Sequence, residues 1–322
     1  MGKSTKKWLI TAVVLVVLGL GMVASSIYIA QKELPGFGFD NYETRTYEIS
    51  EPFSKLHLET DTADITFSVS KDNTCRVVCC EPENIKHDVS VQDGSLRIFV
   101  QDFRKWYEHI DIFQKDITVV IYLPASEYSS LVILEDTGDI RISQDFTFEN
   151  MDIATSTGTV RSAASTSESM KIHTSTGYIY LDNISAGSLD LTVSTGNVNI
   201  HDVICQGEFQ LRVSTGHAQI DNFRCQSFTT TGNTGDLTLK DVIAEGLISI
   251  ERSTGDVTFE KCDAAALFIQ TDTGDVEGSL LSEKIFIVST DTGDIRVPQT
   301  YSGGRCVINT DTGDISFTLE SN

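Results

Sequence analysis

Two rows of aspartate are the residues in this sequence whose spacing could support chemistry. They stand two residues before and one residue after a glycine in three successive repeats: Asp272, Asp275, Asp291, Asp294, Asp311 and Asp314. If the repeats stack as strands about 4.8 Å apart, neighbouring carboxylates repel each other. Ca²⁺ accepts several carboxylate oxygens and would relieve this repulsion. The rows therefore predict a calcium ladder, and the alternative is that each carboxylate accepts a hydrogen bond from its own turn.

Residue types that serve catalysis are scattered along the chain. The histidines at positions 57, 87, 109, 173, 201 and 217 do not form H-E-x-x-H or another ligand spacing. Ser-Thr-Gly recurs too often to be a nucleophile elbow, which needs G-x-S-x-G before a helix. The sequence has neither a phosphate loop nor a dinucleotide fingerprint. We therefore predict that the chain is not an enzyme and has no catalytic or cofactor-binding residues.

Ten Thr-Gly dipeptides follow one another at intervals of 19 or 20 residues. A period this short and regular indicates an array of stacked units. Glycine adopts positive φ without steric cost, so each dipeptide predicts a tight structural turn. The ten turn glycines are Gly138, Gly158, Gly177, Gly196, Gly216, Gly235, Gly255, Gly274, Gly293 and Gly313.

Apolar residues recur at fixed offsets from these glycines. They stand seven and five positions before the glycine and two and four positions after it, which is the period of a strand. A third inward segment is predicted seven positions after the glycine by Ile184, Val203, Phe223, Val242, Cys262 and Leu281. One unit cannot bury these side chains alone, but stacked units share an interior.

The fold class that follows is all-β, a right-handed parallel β-solenoid with rungs of 19–20 residues. Ten rungs over residues 129–322 would give a rod of about 48 Å. The alternative is an antiparallel sandwich, which explains the turns but gives no reason for the constant interval. Phe317 and Leu319 end the chain without a cap, so we expect an open edge at the last rung and an end-to-end homodimer.

The same template extends weakly toward the N-terminus. Leu56, Leu58, Ile65 and Phe67 match it with Ala63 in the place of the glycine. A looser match follows at Val89, Val91, Gly94, Leu96 and Ile98. Ile117, Val119, Ile121 and Leu123 alternate as in a strand, but the register between the matches is lost. We predict an N-terminal rung and a capping insert over 45–128, preceded by a linker over 31–44.

Seven cysteines are present, and an odd number in an exported domain does not favour a full disulfide framework. Cys205 and Cys225 share one repeat position with three alanines. We expect them to pack as small buried residues, although strands on adjacent rungs are also close enough for a disulfide.

Residues 8–30 contain no charged residue and are long enough to span a bilayer as one helix. Lys3, Lys6 and Lys7 precede this run, which keeps residues 1–7 in the cytoplasm as a basic tail. We therefore predict a single-pass signal anchor in the cell membrane with the C-terminal domain extracytoplasmic. The alternative is a signal peptide cleaved near Val23-Ala24-Ser25-Ser26.

The chain after residue 32 is strongly acidic. It holds 20 Lys plus Arg against 46 Asp plus Glu, a net charge of −26. Nucleic acid and anionic lipid are therefore poor partners for this domain. Cations, basic polymers or basic proteins suit it better, and a simply solvated acidic surface explains the charge as well.

The repeated T-G-D-[IV] turns, as in Asp291-Thr292-Gly293-Asp294-Ile295, resemble a family of bacterial envelope domains that are presumed adhesins of unknown function. The resemblance covers about residues 46–319 and extends to the N-terminal anchor. It implies a β-solenoid on the outside of a membrane and supplies no catalytic residues. The neutral Ser-Thr-Gly block over 156–216 departs from the acidic form of the motif.

Three function classes remain from the sequence. The first is a surface or interaction protein of the cell envelope, with a protein or an envelope polymer as its partner. The second is a carbohydrate-binding or carbohydrate-cleaving β-helix, for which Trp106, Tyr107 and Glu108 are the only sign. The third is a scaffold or sensor that accompanies other membrane proteins.

Overall fold

The computed structural model describes residues 15–22, 25, 42–104 and 116–320. Residues 15–22 are helical, and the rest of the predicted membrane segment 8–30 lies outside the described residues, as does most of the predicted linker 31–44. None of the helices in the described ranges has the length and apolar character needed to cross a bilayer.

The remainder of the described chain is built from strands joined into one sheet. In chain order they are β1 (Tyr42–Ile49), β2 (Lys55–Thr62), β3 (Asp64–Val69), β4 (Cys75–Pro82), β5 (Ile85–Gln92), β6 (Ser95–Asp102), β7 (Thr118–Leu123), β8 (Glu127–Thr137), β9 (Ile140–Ile142), β10 (Thr147–Ser162), β11 (Ser165–Ala186), β12 (Ser188–Cys205), β13 (Glu208–Thr215), β14 (Ala218–Cys225), β15 (Ser227–Thr234), β16 (Leu237–Thr254), β17 (Val257–Thr273), β18 (Val276–Leu280), β19 (Lys284–Thr292), β20 (Ile295–Arg296), β21 (Gly304–Thr312) and β22 (Ile315–Leu319). β1 begins inside the predicted linker.

Parallel pairing in constant register confirms the predicted solenoid. β10 pairs with β11 and β11 pairs with β12, so that Gly158, Gly177 and Gly196 are direct neighbours. The same register continues through the later strands, with equivalent repeat positions facing each other. The antiparallel sandwich is therefore wrong for the repeats, and the right-handed sense of the coil stays a prediction.

The turn glycines form a single column, and the close approach of the coils in it explains why glycine is used. Gly216 has φ +136°. A Cβ atom built there would lie 1.8 Å from the carbonyl oxygen of Gly196 on the next coil. Each coil thus approaches its neighbour through bare backbone at this corner. Ala63 stands in the same column, directly below Gly138, as the sequence predicted.

A second corner six residues after the glycine was not predicted. Five residues there adopt the left-handed conformation with φ of 50–53°: Asn183, Asp202, Asn222, Asp241 and Lys261. Asn and Asp tolerate this conformation better than most residues. The next coil has Leu280 at this position and does not turn there. Leu280 is consequently buried and Leu281 is 40% exposed, so the predicted inward role of Leu281 is wrong.

The order of the coils differs from the order of the sequence at both ends. β21 lies between β17 and β19, and β22 lies between β18 and β20. The last coil of the chain, 304–319, is therefore inserted beneath the preceding one, 284–296. Phe317 is only 4% exposed. The predicted open edge at Phe317 and Leu319 is wrong, because β19 and β20 form that edge.

At the other end, β6 pairs with β2 and β7 pairs with β3. β6 and β7 together make an outer coil, and the coil of β2 and β3 lies inside it. Antiparallel strands then close the stack, β5 on β6 and β4 on β7, with β1 on β4. The described residues thus form twelve coils, of which ten carry the glycine corner, in a rod of about 53 Å.

All seven cysteines are free thiols. Cys205 is 2% exposed and Cys225 is 5% exposed, and their side chains fill the interior at the third segment of the coil. The prediction that they pack as small buried residues is confirmed.

Candidate binding groove

Five large planar or hydrogen-bonding side chains line one outer face of the rod. They stand three positions after successive glycines, so the solenoid places them one above the other: Arg141, Arg161, Tyr180, Asn199 and Gln219. In the following coils the same position holds Thr238 and Thr258. The continuous planar row therefore ends at Gln219, although Glu277 and Arg296 stand at the same position in later coils.

A trough runs beside the planar row because the neighbouring outward positions are small. Ser68, Ser143 and Ala163 stand two residues further along their coils and are half-buried. Together with the planar row they line a groove of about 670 Å³. Its floor includes the buried side chains of Phe67 and Ile142. A partly apolar floor with a polar rim is typical of ligand sites.

The centre of the planar row is held by ring contacts. The guanidinium carbon of Arg161 lies 4.1 Å from the centroid of the Tyr180 ring, which is a cation–π contact. The Tyr180 ring is stacked on that of Tyr178, with centroids 6.1 Å apart and an interplanar angle of 24°. These contacts fix the plane of Arg161 while leaving the guanidinium exposed at the rim.

Carboxylates flank the groove at both ends. Arg141 pairs with Asp139 at 2.7 Å. The His201 ring lies 3.2 Å from Asp182, 3.1 Å from Asp202 and 3.9 Å from Asp221. The groove therefore offers cationic, aromatic, amide and carboxylate groups within one surface. Such a mixture suits a ligand that presents both hydroxyl or amide groups and apolar surface.

The aspartates that follow the glycines have a structural role that the sequence did not show. Asp275 Oδ1 accepts a hydrogen bond from the backbone N–H of Asp314 at 2.8 Å, and Asp314 Oδ1 accepts one from the N–H of Asp294 at 2.8 Å. Asn197 and His217 accept equivalent bonds from the next coil. In these coils the side-chain acceptor thus accepts a hydrogen bond from the backbone of a neighbouring coil and not from its own turn.

The predicted calcium residues lie on three adjacent coils at the open end, and all six are exposed. Within the described ranges, the single place where three potential metal ligands come within 4.8 Å of each other is elsewhere, at Cys79, Glu81 and His87. Calcium binding by Asp272, Asp275, Asp291, Asp294, Asp311 and Asp314 stays a prediction.

A second groove of about 510 Å³ lies on another face and includes Glu59, Asp61 and Asp136 at its rim. Glu135 lies beneath it, 4% exposed. Its Oε1 accepts a hydrogen bond from the Ala63 N–H at 3.0 Å. Burial raises the pKa of Glu135 to about 8.

None of the residues of the planar row was predicted as a site residue from the sequence. A signal was present, since five large side chains recur at one outward offset in consecutive repeats and the next two repeats have threonine there. The carbohydrate hypothesis was attached to Trp106, Tyr107 and Glu108, which lie outside the described residues.

Comparison with protein families identifies one match. The family model described as Toastrack DUF4097 matches residues 53–240 and again residues 204–322. The two matches together span almost the whole strand-built part of the chain. No curated protein matches the sequence significantly.

Several solved structures resemble the chain at low identity. A presumed lipid-binding protein from Parabacteroides distasonis is 15% identical, with 86% of this chain and 97% of that chain covered and a TM-score of 0.49. A presumed adhesin from Bacteroides fragilis is 16% identical, with 86% and 97% covered and a TM-score of 0.39. A presumed adhesin from Parabacteroides merdae is 10% identical, with 87% and 98% covered and a TM-score of 0.37.

Proposed function

Because the chain belongs to the Toastrack DUF4097 family, we propose that it is a non-catalytic interaction protein of the cell envelope that displays its rod outside a membrane. The groove beside the planar row is the contact surface for its partner. The observation that carries this proposal is the grouping of exposed binding chemistry on one stretch of an otherwise regular rod.

The regularity of the rod supports a binding role. The side chain that follows the turn glycine accepts a hydrogen bond from the backbone of a neighbouring coil at several places along the rod. The Asp275 and Asp314 carboxylates are two examples. The planar row breaks this uniformity, with Arg161 and Tyr180 in a ring contact. Pre-oriented planar groups bind with less loss of side-chain entropy than free ones.

The membrane part of the proposal rests on the sequence. The uncharged run 8–30 follows three lysines, and the chain beyond residue 32 carries a net charge of −26. In the proposed arrangement the run anchors the chain, and the acidic rod remains on the extracytoplasmic side, away from anionic lipid.

A carbohydrate partner is the second candidate, and the groove favours it over the other sequence-based alternatives. The Tyr178 ring, which is 43% exposed and stacked on Tyr180, offers an apolar face to a sugar ring. Asn199, Gln219 and Arg161 offer amide and guanidinium groups that hydrogen-bond to hydroxyls. Binding without cleavage is proposed because these groups are exposed along a line and do not converge on one bond.

The test is a binding comparison with the full chain in detergent. An array of envelope glycans and crosslinking in the native membrane are both probed with the natural chain and with a double variant, Arg161→Ala with Tyr180→Ala. Loss of the cation–π pair and the stacking face costs about 1–2 kcal/mol, so we expect roughly tenfold weaker binding.

The matched control is Arg224→Ala with Tyr301→Ala, which removes the same residue types from exposed positions outside the groove. It is expected to bind as the natural chain does. Equal binding by both double variants, or binding in neither assay, contradicts the proposal.

A further inference from the structure

The strands that close the amino-terminal end contain a buried carboxylate in an apolar row. β4 turns Cys75, Val77, Cys79 and Glu81 toward the interior, and Glu81 is 0% exposed. An ionised carboxylate removed from water needs strong partners. The groups that contact Glu81 therefore indicate which ligand this buried carboxylate could bind.

Two residues contact the Glu81 carboxylate. Oε2 lies 2.5 Å from His87 Nδ1 and accepts a hydrogen bond from the His87 backbone N–H at 3.0 Å. Oε1 accepts a longer bond from Arg45 at 3.3 Å. The Tyr47 hydroxyl donates to the His87 carbonyl at 2.8 Å, so the backbone that carries the imidazole is also fixed.

Cys79 completes the cluster. One potential ligand atom from each of Cys79, Glu81 and His87 lies within 4.8 Å of the other two, and all three residues are buried. His87 Nε2 is buried and without a hydrogen-bond partner among the described residues. Thiolate, carboxylate and imidazole are the three ligand types of protein zinc sites.

We infer that Cys79, Glu81 and His87 bind a transition-metal ion of the Zn²⁺ class inside the amino-terminal cap. Zn²⁺ holds such ligands at about 2.0–2.3 Å, so the carboxylate and imidazole have to separate slightly and Cys79 has to approach, by about 1 Å. Arg45 then holds the second carboxylate oxygen from outside, as outer partners of metal ligands commonly do.

Binding exchanges protons for the metal. The S–H bond of Cys79 breaks, its proton goes to solvent, and the sulfur forms a bond to the metal. Metal binding to a thiol releases its proton, so the affinity falls at low pH. The proton that His87 Nδ1 shares with Glu81 Oε2 leaves that contact, and Nε2 takes up a proton, so that the imidazole remains neutral and the Nδ1 lone pair forms the bond to the metal.

The metal has a structural task that no strand pairing performs. β4 pairs with β1 and β7, whereas β5 pairs with β6, and the described strands include no β4–β5 ladder. Cys79 and Glu81 belong to β4 and His87 belongs to β5. A metal held by all three therefore joins the two halves of the cap.

The experiment uses the full chain purified in detergent without an affinity tag. Metal content is measured after incubation with Zn²⁺ and dialysis, and Co²⁺ is added separately to follow the thiolate-to-cobalt absorption in the near ultraviolet. We expect one metal per chain, the cobalt band, and a lower Tm after chelation.

Cys79→Ala is expected to lose the metal and the cobalt band. Cys75→Ala is its matched control, since Cys75 is a buried thiol on the same face of β4 but outside the cluster, and it is expected to keep both. His87→Gln should also lose the metal. Less than about 0.1 metal per natural chain, or a cobalt band unchanged in Cys79→Ala, overturns the inference. The measurement on the natural chain decides even if the variants fail to fold.

Discussion

At the amino-terminal end of the rod, β4 and β5 cover the outermost coil with antiparallel pairs, whereas at the carboxyl-terminal end β19 and β20 have no described strand beyond them. Ile295 and Ile315 occupy the same repeat position, two residues after the glycine. Ile295, in the outer coil, is 44% exposed, and Ile315, in the inserted coil, is 0% exposed. Identical sequence positions are therefore buried only where a neighbouring coil covers them.

This difference shows what the repeat provides and what it does not. The pattern of inward apolar residues is the same in every coil, so every coil is suited to a neighbouring coil on each side. The pattern does not specify how the outermost coil is covered. At the amino-terminal end, antiparallel strands cover the outermost coil. At the other end Phe286 and Val288 remain half-buried at the edge.

The largest expected effect tests the coil order directly. Ile315→Ala removes a fully buried side chain and should lower the free energy of unfolding by about 2–5 kcal/mol. Ile295→Ala removes a half-exposed side chain from the outer coil and should cost less than about 1 kcal/mol. Chemical denaturation measures both. A larger loss for Ile295→Ala would mean that the coils follow the order of the sequence.

The second prediction concerns one interior position that differs between the ends. Three residues before the glycine, the coil near the cap has Glu135 and the inserted coil has Thr310. The folded-state pKa of Glu135 is about 8, above its ordinary value of 4.5. Between these pH values only the folded chain keeps the proton, so stability falls as pH rises from about 4.5 to 8.

Glu135→Thr makes the two ends alike at this position and should flatten that part of the stability profile. The measurement is the Tm of both chains at intervals between pH 4 and about 9. A difference between the chains that stays constant across this range would show that Glu135 does not titrate there.

A smaller effect is expected on association. Ile285 and Ile287 are 40% and 52% exposed on β19, whose outer edge offers unpaired backbone groups. The homodimer predicted from the sequence should therefore form through β19, and not through the chain-terminal strand. Ile287→Lys should weaken it, while Ile204→Lys, at a 55% exposed position in the middle of the rod, should not. Sedimentation at about 50 µM distinguishes them, and a monomeric natural chain refutes the dimer.

The smallest expected effect is that of calcium at the open end. Ca²⁺ at millimolar concentration should raise the Tm slightly, because it reduces repulsion among the six aspartates of the predicted ladder. Asp294→Asn with Asp314→Asn keeps the hydrogen-bond acceptors and should lose part of that rise. Identical melting curves in chelator and in calcium would remove the ladder.

The sequence predicted the coil because the glycine column and the inward residues depend on local spacing. It did not predict the order of the coils at the ends. Coils with the same inward pattern, such as 284–296 and 304–319, fit either place equally well by periodicity. The order of the two coils depends on which long-range pairing buries more surface, and the spacing of the residues does not determine this.

The candidate groove was predictable in part. The outward row from Arg141 to Gln219 can be seen in the sequence once the coil is known, as can the Asn and Asp residues of the second corner. The small residues that open the trough, such as Ser68 and Ser143, also keep one repeat position, but small size alone does not distinguish a groove from a flat surface. The contact of Glu81 with His87 depends on the path of the cap strands.

The tucked position of the last coil also determines how this rod can be made and handled. Strand β21 pairs with β17 and with β19, which are both synthesised before it. The outer coil of β19 and β20 therefore takes its place at the tip only once β21 and β22 lie between it and the rest of the rod. A fluorescent protein or other fusion placed after residue 320 would leave from the flank of the rod, and the tip itself would remain free.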